Sequence, residues 1–168
     1  MEGIDIALER LRHGQQRPLL EVFDGLSERS RSLRFHGSKP RLHAHELEQL
    51  ADVGCCGREA VAAVERESRR AIGIARFVRD EDDPRSAEVA FEVVDDWQGR
   101  GIGRLLMQEL VPLAHAAGID RFRARVLPGN DAAVAILRRA GRIVATAFDG
   151  DAYELVVEVT QGDLSRAA

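Results

Sequence analysis

The chain has 168 residues, of which 45% are hydrophobic and 31% charged, and a formal net charge of −4. Length and composition indicate one globular domain over residues 1–168 with a sizeable core, and the acidic balance excludes the basic surface of a nucleic-acid-binding protein. No apolar run approaches the roughly 20 residues that span a bilayer, and the N-terminal segment lacks the apolar stretch of a signal peptide, so we expect a cytoplasmic protein that binds no membrane.

The first third of the chain predicts one strand and three helical segments. Weak alternation favours a strand over 4–8, and apolar spacing favours helices over 16–26, 28–35 and 45–50. Pro18 fits the opening turn of the first helix, and Ser27 is a suitable N-cap for the second. Cys55 and Cys56 lack a third cysteine and the spacing of a metal site, so we interpret them as reduced thiols.

The remaining sequence predicts strands interrupted by two helices. The strands cover 59–65, 71–78, 87–94, 121–126, 143–148 and 153–159, and the helices cover 101–117 and 131–140. Pro112 should kink or shorten the first of these helices. Asn130 caps the second and Gly141 ends it, while Asp149-Gly150 indicates the turn of the terminal hairpin. We expect residues 160–168 to form a loose polar tail.

A glycine-rich turn joins the strand at 87–94 to the helix that follows. Gln98, Gly101 and Gly103 fit the pattern Q-x-x-G-x-G, and Gly99 adds a third glycine. Backbone N–H groups converge without partners at a helix start, where the helix dipole is positive, so this turn favours a phosphate or pyrophosphate. Neither a P-loop nor a dinucleotide G-x-G-x-x-G motif fits, because Arg104 lies where the first needs lysine and the second glycine.

Residues 91–106, FEVVDDWQGRGIGRLL, resemble the acyl-CoA pyrophosphate loop of the GNAT N-acetyltransferase superfamily. The resemblance implies an α/β (α+β) fold with a mixed, mostly antiparallel central sheet of about seven strands and helices on both faces. In that fold the strands at 87–94 and 121–126 splay apart, and the pantetheine arm lies in the gap. The implied cosubstrate is acetyl-CoA, and we expect no metal.

The same resemblance assigns cofactor contacts. Backbone groups of Phe91, Glu92 and Val93 would contact pantetheine and the acyl carbonyl, and a main-chain N–H there would stabilise the oxyanion. The turn would bind the diphosphate, and an asparagine opening the next helix would contact CoA in addition to capping that helix. The asparagine is Asn130, and the turn residues are Gln98, Gly99, Arg100, Gly101, Ile102, Gly103 and Arg104.

Glu88 is the candidate catalytic residue. A lysine amine has a pKa near ~10.4 and must lose a proton before it attacks a thioester, and a general base contributes typically ~10²–10⁴ in rate. The sequence AEVAF at 87–91 resembles the strand that carries the glutamate base of protein-acetylating GNAT enzymes, which works through a water. Glu92 lies on the same strand face and is the alternative base. For each, a solvated strand carboxylate is the other interpretation.

One position departs from the family pattern. Many relatives carry a tyrosine, as general acid for the leaving thiolate, seven residues after the asparagine, where this chain has Leu137. Tyr153 is a poor substitute on spacing alone. Either the thiolate leaves without enzymic protonation, or the reaction is weak or absent.

Several charged and titratable residues have an ordinary explanation. The alternating Arg121, Arg123 and Arg125 would attract an acidic substrate or CoA phosphates, but a salt-bridged or solvated face is the favoured interpretation. His43 and His45 would point to different sides of a helix, which argues against a metal site. The other histidines, which show no partner pattern and are expected at the surface, are His13, His36 and His115.

Residues 23–35, FDGLSERSRSLRF, resemble the GLS-x-ES-x-x-LRF segment of Pat-type bacterial protein lysine acetyltransferases, although Arg29 replaces the glutamate of that pattern. The likeness extends over roughly 17–159. In that family the acyltransferase domain is often joined to a regulatory domain, and we expect any control by a small effector to come from outside this chain. Members of the family modify a lysine on acyl-CoA synthetases.

The predicted function is therefore acetyl transfer from acetyl-CoA to a primary amine, favouring a protein lysine, by direct attack with Glu88 as general base. An acyl-CoA synthetase is the first acceptor to test. One alternative is acylation of a small amine such as a polyamine or aminoglycoside. Another is a catalytically silent acyl-CoA-binding module, which Leu137 motivates. The sequence leaves open the acyl chain and whether the protein is a monomer or a homodimer.

Overall fold

The computed structural model describes residues 5–159, so the predicted tail at 160–168 and the first residue of the predicted strand at 4–8 lie outside the described residues. The strands are β1 Ile6–Arg10, β2 Arg58–Glu65, β3 Ala71–Arg79, β4 Ser86–Val93, β5 Arg121–Val126, β6 Gly141–Phe148 and β7 Tyr153–Val159. The helices are α1 Arg17–Asp24, α2 Glu28–Phe35, α3 Ala44–Ala51, α4 Ile102–Ala116 and α5 Asp131–Ala140, with a 3-10 turn at Asp95–Trp97 before α4.

All seven strands belong to one sheet in the order β1-β2-β3-β4-β5-β7-β6. Every neighbouring pair is antiparallel except β4 with β5. The helix α4 connects these two strands, as a parallel crossover requires. The predicted mixed, mostly antiparallel sheet is thereby confirmed.

Two apolar layers cover the two faces of the sheet. One layer packs against α4 and α5 and includes the fully buried Phe77, Phe122 and Leu110. The other packs against α1 and α3 and includes Val22 and Ile74. Burial of each such side chain contributes about 1.5–3 kcal/mol, so both helical layers are fixed to the sheet. The prediction of helices on both faces is confirmed.

Local capping signals place two helices as the sequence predicted. The Ser27 hydroxyl accepts a hydrogen bond from the Ser30 N–H at 3.2 Å and opens α2. Asn130 Oδ1 accepts from the Ala133 N–H at 3.2 Å and opens α5. These bonds satisfy amides that a helix start would otherwise leave unpaired. Both helices therefore have the bounds that their sequence signals gave.

Of the two effects predicted for Pro112, shortening does not occur, because α4 continues to Ala116, and a kink stays a prediction. Leu106, Leu110 and Ala114 form a stripe on this helix that is 0% exposed. Pro112 itself lies on the exposed side. A proline inside a helix costs about 3 kcal/mol, and the buried stripe on both sides of it outweighs that cost.

Candidate active site

The sheet opens between β4 and β5. Their parallel pairing consists of Ser86 with Arg121, Ala87 with Phe122 and Glu88 with Arg123. Beyond these three pairs the strands continue to Val93 and Val126 without pairing to each other. A cleft of about 220 Å³ occupies the gap, with walls from α2, β4, β5 and α5. The splayed strands that the family resemblance implied are present.

The glycine turn lies beside this cleft and adopts a backbone that two of its glycines require. Gly99 has a φ of 72° and Gly101 a φ of 81°, both in the left-handed region that favours glycine. Within residues 5–159, the N–H groups of 99–103 donate no hydrogen bond to a backbone carbonyl. These amides stand at the positive end of the 15-residue helix α4. The arrangement is suited to an anion such as a diphosphate.

Gly103 has a different role from the other two glycines. It is buried in the first turn of α4, and a Cβ built on it would lie 2.6 Å from Ile136 Cδ1 on α5. Ile136 also lines the cleft. The absence of a side chain at Gly103 thus allows close packing of two helices, whereas the sequence analysis assigned this glycine only to ligand contact.

A polar network connects the start of α2 to the turn. Asp95 accepts hydrogen bonds from the Ser27 N–H at 2.9 Å, the Ser27 hydroxyl at 2.7 Å and the Ser30 hydroxyl at 3.1 Å. Gln98 Nε2 donates to the Val93 carbonyl at 2.9 Å and to the Ser30 hydroxyl at 3.3 Å. Burial acts to raise the pKa of Asp95, but the hydrogen bonds from Ser27 and Ser30 outweigh it and hold that pKa below its ordinary value.

Gln98 therefore acts on the protein itself with its side-chain amide. Its backbone N–H is also occupied, since it donates to the Asp95 carbonyl at 3.1 Å. The residue fixes the end of β4 to the turn.

Arg100 is exposed beside the turn, and its guanidinium carbon lies 5.0 Å from the centre of the Trp97 ring.

Glu88 stands at the last paired position before the strands separate. Its side chain is exposed and lines the cleft, and it accepts no hydrogen bond from another residue of the described chain. A carboxylate in that condition is accessible to a water and to an approaching amine. This placement agrees with the predicted base, although only an activity measurement tests the role.

Glu92 differs from Glu88 in its surroundings. Arg34 Nε of α2 donates to Glu92 Oε2 at 2.5 Å, and the two side chains are 16% and 11% exposed, respectively. Glu92 is therefore largely shielded from solvent and held by a guanidinium, so it is less accessible than Glu88 to a water or an approaching amine. The geometry favours Glu88 over Glu92 as base, and it gives Glu92 the task of holding α2 against β4.

A second buried cation lies under the same face. Arg76 on β3 is 8% exposed and lies opposite Ala90 in the strand register, and its side chain forms no hydrogen bond with another described residue. Burial lowers the pKa of Arg76, and Arg34 lowers it further, while Glu92 and Glu88 act in the opposite direction. Arg76 lies inside an otherwise apolar strand, and its position near Arg34, Glu92 and Glu88 was not predicted from the sequence.

The three alternating arginines of β5 are engaged in ion pairs. Arg123 binds Asp80 at 2.7 Å and Glu154 at 2.6 Å. Arg125 binds Asp149 at 2.5 Å, and Arg121 lies 3.4 Å from Asp83. The favoured interpretation of a salt-bridged face is confirmed.

Asn130 lines the cleft. Its side-chain Oδ1 accepts the hydrogen bond from the Ala133 N–H that caps α5. Leu137, at the position where relatives carry the tyrosine acid, is 0% exposed inside the core. Tyr153 is 40% exposed and lies beside Phe148, with ring centres 4.9 Å apart. It borders a separate cavity between α5, β6 and β7, which shares only Val126 and Asn130 with the cleft.

His36 lines the cleft, a position that its sequence context did not predict. It is exposed at the surface, as expected, but it ends α2 in a left-handed conformation with a φ of 59°. Its Nε2 lies 3.1 Å from the Arg125 carbonyl oxygen, on the unpaired part of β5. Desolvation of the ring, helped by Arg125 and Arg34, lowers the pKa of His36, against the raising effects of the hydrogen bond and of Glu88.

His43 and His45 do not point to different sides, contrary to the expectation. Their rings are stacked with centres 5.9 Å apart, because His43 is the N-cap of α3 and not part of the helix.

Within residues 5–159, the side chains of His, Cys, Asp and Glu form no group of three or more that would hold a metal ion. No helix in the described part of the chain has the length and apolar character needed to cross a membrane. Cys55 and Cys56 are free and exposed.

Known proteins share this architecture and part of this sequence. The chain is 50% identical over 72 residues to acetyltransferase Pat of Mycolicibacterium smegmatis, a stretch that covers 43% of this chain and 22% of that protein. The structure is similar to the GNAT domain of S. lividans PAT with a TM-score of 0.81 and 26% identity, covering 90% of this chain and 89% of that one.

A cAMP-binding acyltransferase from Mycobacterium smegmatis is also similar, with a TM-score of 0.65 and 29% identity over 97% of this chain and 46% of that one. The chain thus spans about a fifth of the length of the Pat relative and under half of the cAMP-binding enzyme. Residues 23–141 match the model of the acetyltransferase (GNAT) family. The chain belongs to the GNAT acetyltransferase family.

Proposed function

We propose that this chain transfers an acetyl group from acetyl-CoA to the side-chain amine of a protein lysine. One observation carries the proposal: a single cleft is lined by Gln98 at the start of the glycine turn, by the unpaired backbone of two strands and by an accessible carboxylate, Glu88. The coenzyme's diphosphate, amide-bearing arm and thioester need these three features in the same order. The identity with a Pat acetyltransferase supports the choice of a protein lysine.

In this proposal the coenzyme binds along the gap. The amides of the turn residues Gly99, Arg100, Gly101, Ile102 and Gly103 bind its diphosphate, and Arg104 adds positive charge. The backbone of Phe91, Glu92 and Val93 pairs with the pantetheine arm in place of a neighbouring strand. Asn130 contributes its amide from the opposite wall, and Gln98 acts by holding the end of β4 to the turn.

The chemistry follows from the protonation state of the acceptor. Glu88, through a water, removes a proton from the lysine ammonium, and the free amine attacks the thioester carbon. A main-chain N–H of β4 stabilises the oxyanion that forms. Because Leu137 is buried and apolar, the thiolate leaves with a proton from solvent instead of from a tyrosine.

The test is acetyl transfer to a purified acyl-CoA synthetase, detected as acetyl-lysine by mass spectrometry. We expect transfer by the unchanged chain and a loss of about 10²-fold in kcat for Glu88→Gln. Glu67→Gln, an exposed glutamate in the turn after β2, is the matched control and should remain active. Full activity of Glu88→Gln would reject its role as base.

Two further outcomes distinguish the alternatives. Release of free CoA with small amines but not with proteins would indicate a small-molecule acetyltransferase. Tight binding of CoA without turnover on any amine would indicate a silent acyl-CoA-binding module, which the buried Leu137 favours as second candidate. The proposal includes a cytoplasmic protein that acts as a monomer or homodimer, which fractionation and ultracentrifugation would test.

A further inference from the structure

We propose that His36 is a second catalytic residue, which accepts a proton from the acceptor amine during its attack on the thioester. The inference rests on the proposed function, since it concerns the same cleft. It starts from the hydrogen bond between His36 Nε2 and the Arg125 carbonyl. A carbonyl oxygen only accepts, so Nε2 must carry a hydrogen, and in the neutral ring Nδ1 is then the nitrogen with the free lone pair.

The position of this bond along the gap gives the histidine its relation to the reacting atoms. The last paired residues of the two strands are Glu88 and Arg123. Arg125 lies two residues further along β5, which is about 7 Å beyond that pair at ~3.3 Å per residue. His36 is therefore level with Ala90, between Glu88 and the stretch of β4 whose amides would hold the thioester carbonyl. His36 and that stretch line the same cleft.

The charges around the ring favour its neutral form. His36 is faced by Arg34 from α2, by Arg125 from β5 and by Glu88 from β4. Desolvation and the two cations lower the pKa of His36, so that the neutral ring is present at pH 7 and Nδ1 can accept a proton. Arg34 is itself paired with Glu92, which leaves Glu88 as the anion that an incoming ammonium meets first.

Two protons leave the acceptor nitrogen in the complete reaction. Glu88 takes the first, which converts the ammonium to a free amine. The nitrogen becomes positive again when its lone pair forms the bond to the thioester carbon. His36 Nδ1 then accepts the second proton as the N–H bond breaks, the carbon–sulfur bond breaks with its electron pair on sulfur, and the imidazolium returns its proton to solvent, from which the thiolate is protonated.

The left-handed backbone at His36 suggests two variants that keep the fold. Asparagine and glycine both tolerate a φ near 59°, and neither side chain titrates. His36→Asn and His36→Gly are compared with the unchanged chain, and His45→Asn, an exposed histidine on α3, is the control. The readouts are kcat, KM for acetyl-CoA, the pH dependence of kcat, and rescue of His36→Gly by added imidazole.

We expect kcat to fall about 10²-fold in both His36 variants, with KM for acetyl-CoA changed less than threefold. In the unchanged chain kcat should decrease as the pH falls through the pKa of His36, and this decrease should be absent in the variants. Imidazole should restore part of the activity of His36→Gly.

An unchanged kcat and pH profile in both variants would overturn the inference and leave the proposed function intact. A rise in KM with an unaltered pH profile would also overturn it, because it would show that His36 only holds β5 in place. Absence of transfer by the unchanged chain would overturn both proposals.

Discussion

The side chain of Ile136 occupies the space in which a Cβ on Gly103 would lie, with Cδ1 at 2.6 Å from that position. The contact brings α4 and α5 together beside the cleft. Cδ1 is the far end of a side chain that can rotate, so a larger residue at 103 would displace Ile136 instead of breaking the helix packing. Because Ile136 lines the cleft, the displaced methyl would enter the space assigned to the coenzyme.

Gly103→Ala should therefore weaken coenzyme binding with little effect on stability. Alanine in a helix is favoured over glycine by roughly 0.5–1 kcal/mol, which offsets the cost of moving Ile136. We expect the Kd for CoA to rise about fivefold, which corresponds to about 1 kcal/mol, in isothermal titration calorimetry. The double variant Gly103→Ala/Ile136→Val, which lacks Cδ1, should recover the original Kd. If the double variant does not recover the original Kd, the contact with Ile136 is not the cause of the weaker CoA binding.

Gly101 and Gly14 form a matched pair for the anion-binding turn. Both are in the left-handed region, with φ of 81° and 77°, and a Cβ on either would meet nothing within 4 Å. Alanine at either position should destabilise the fold by about 1 kcal/mol. Only Gly101→Ala should reduce the rise in melting temperature that saturating CoA produces. Equal CoA-induced shifts in the two variants would contradict the assignment of the turn.

The pair of Arg34 and Glu92 should contribute to stability, in contrast to Glu88. Glu92→Gln leaves the partly buried Arg34 without an anionic partner, and we expect the free energy of unfolding to fall by about 1.5–3 kcal/mol, the range for hydrogen bonds to charged groups, in urea titrations. Glu88→Gln should change it by less than about 0.5 kcal/mol, because the exposed Glu88 accepts no hydrogen bond in the described chain. Similar losses in the two variants would contradict a stabilising role for the pair of Arg34 and Glu92.

The network at Asp95 should make stability depend on pH. Its folded-state pKa is below the ordinary value of 3.8, since hydrogen bonds from Ser27 and Ser30 outweigh the effect of burial. Its contribution is therefore complete above the unfolded-state pKa and is lost as the pH falls through the folded-state pKa. Asp95→Asn should lower the free energy of unfolding by about 1 kcal/mol at pH 7. The variant and the unchanged chain should converge below pH 3.8.

Asp24→Asn, an exposed aspartate at the end of α1, is the control for that measurement. At pH 7 it should change the free energy of unfolding by less than about 0.5 kcal/mol. A constant difference between Asp95→Asn and the unchanged chain, from pH 7 down to the lowest pH at which the fold persists, would show that the hydrogen bonds do not depend on the carboxylate charge.

Local signals were sufficient for most of the elements. Ser27 and Asn130 bond to amides three residues away, and the alternation over 121–126 reflects one buried strand face, so α2, α5 and β5 were predictable with their observed bounds. The helix over 101–117 was predicted nearly to its observed end at Ala116, but the effect of Pro112 on it was not, because the stabilising contacts come from the sheet and lie far away in sequence.

The candidate site was predictable in its chain-local parts only. Glycine φ values, the helix start and the position of Glu88 follow from adjacent residues. The contacts of His36 with Arg125 and of Arg34 with Glu92 join residues 89 and 58 positions apart. Such contacts depend on how α2 packs over the sheet, and a single sequence has no periodic signal for them.

The short pairing between β4 and β5 has a mechanical consequence. It leaves the molecule as a four-stranded and a three-stranded half-sheet, joined at one end by three residue pairs and bridged by α4. A guest that hydrogen-bonds to both inner edges would complete the sheet and join the halves. Protection of the amides of 89–93 from hydrogen exchange should consequently rise on binding, and the empty protein should resist heat less well than the occupied one.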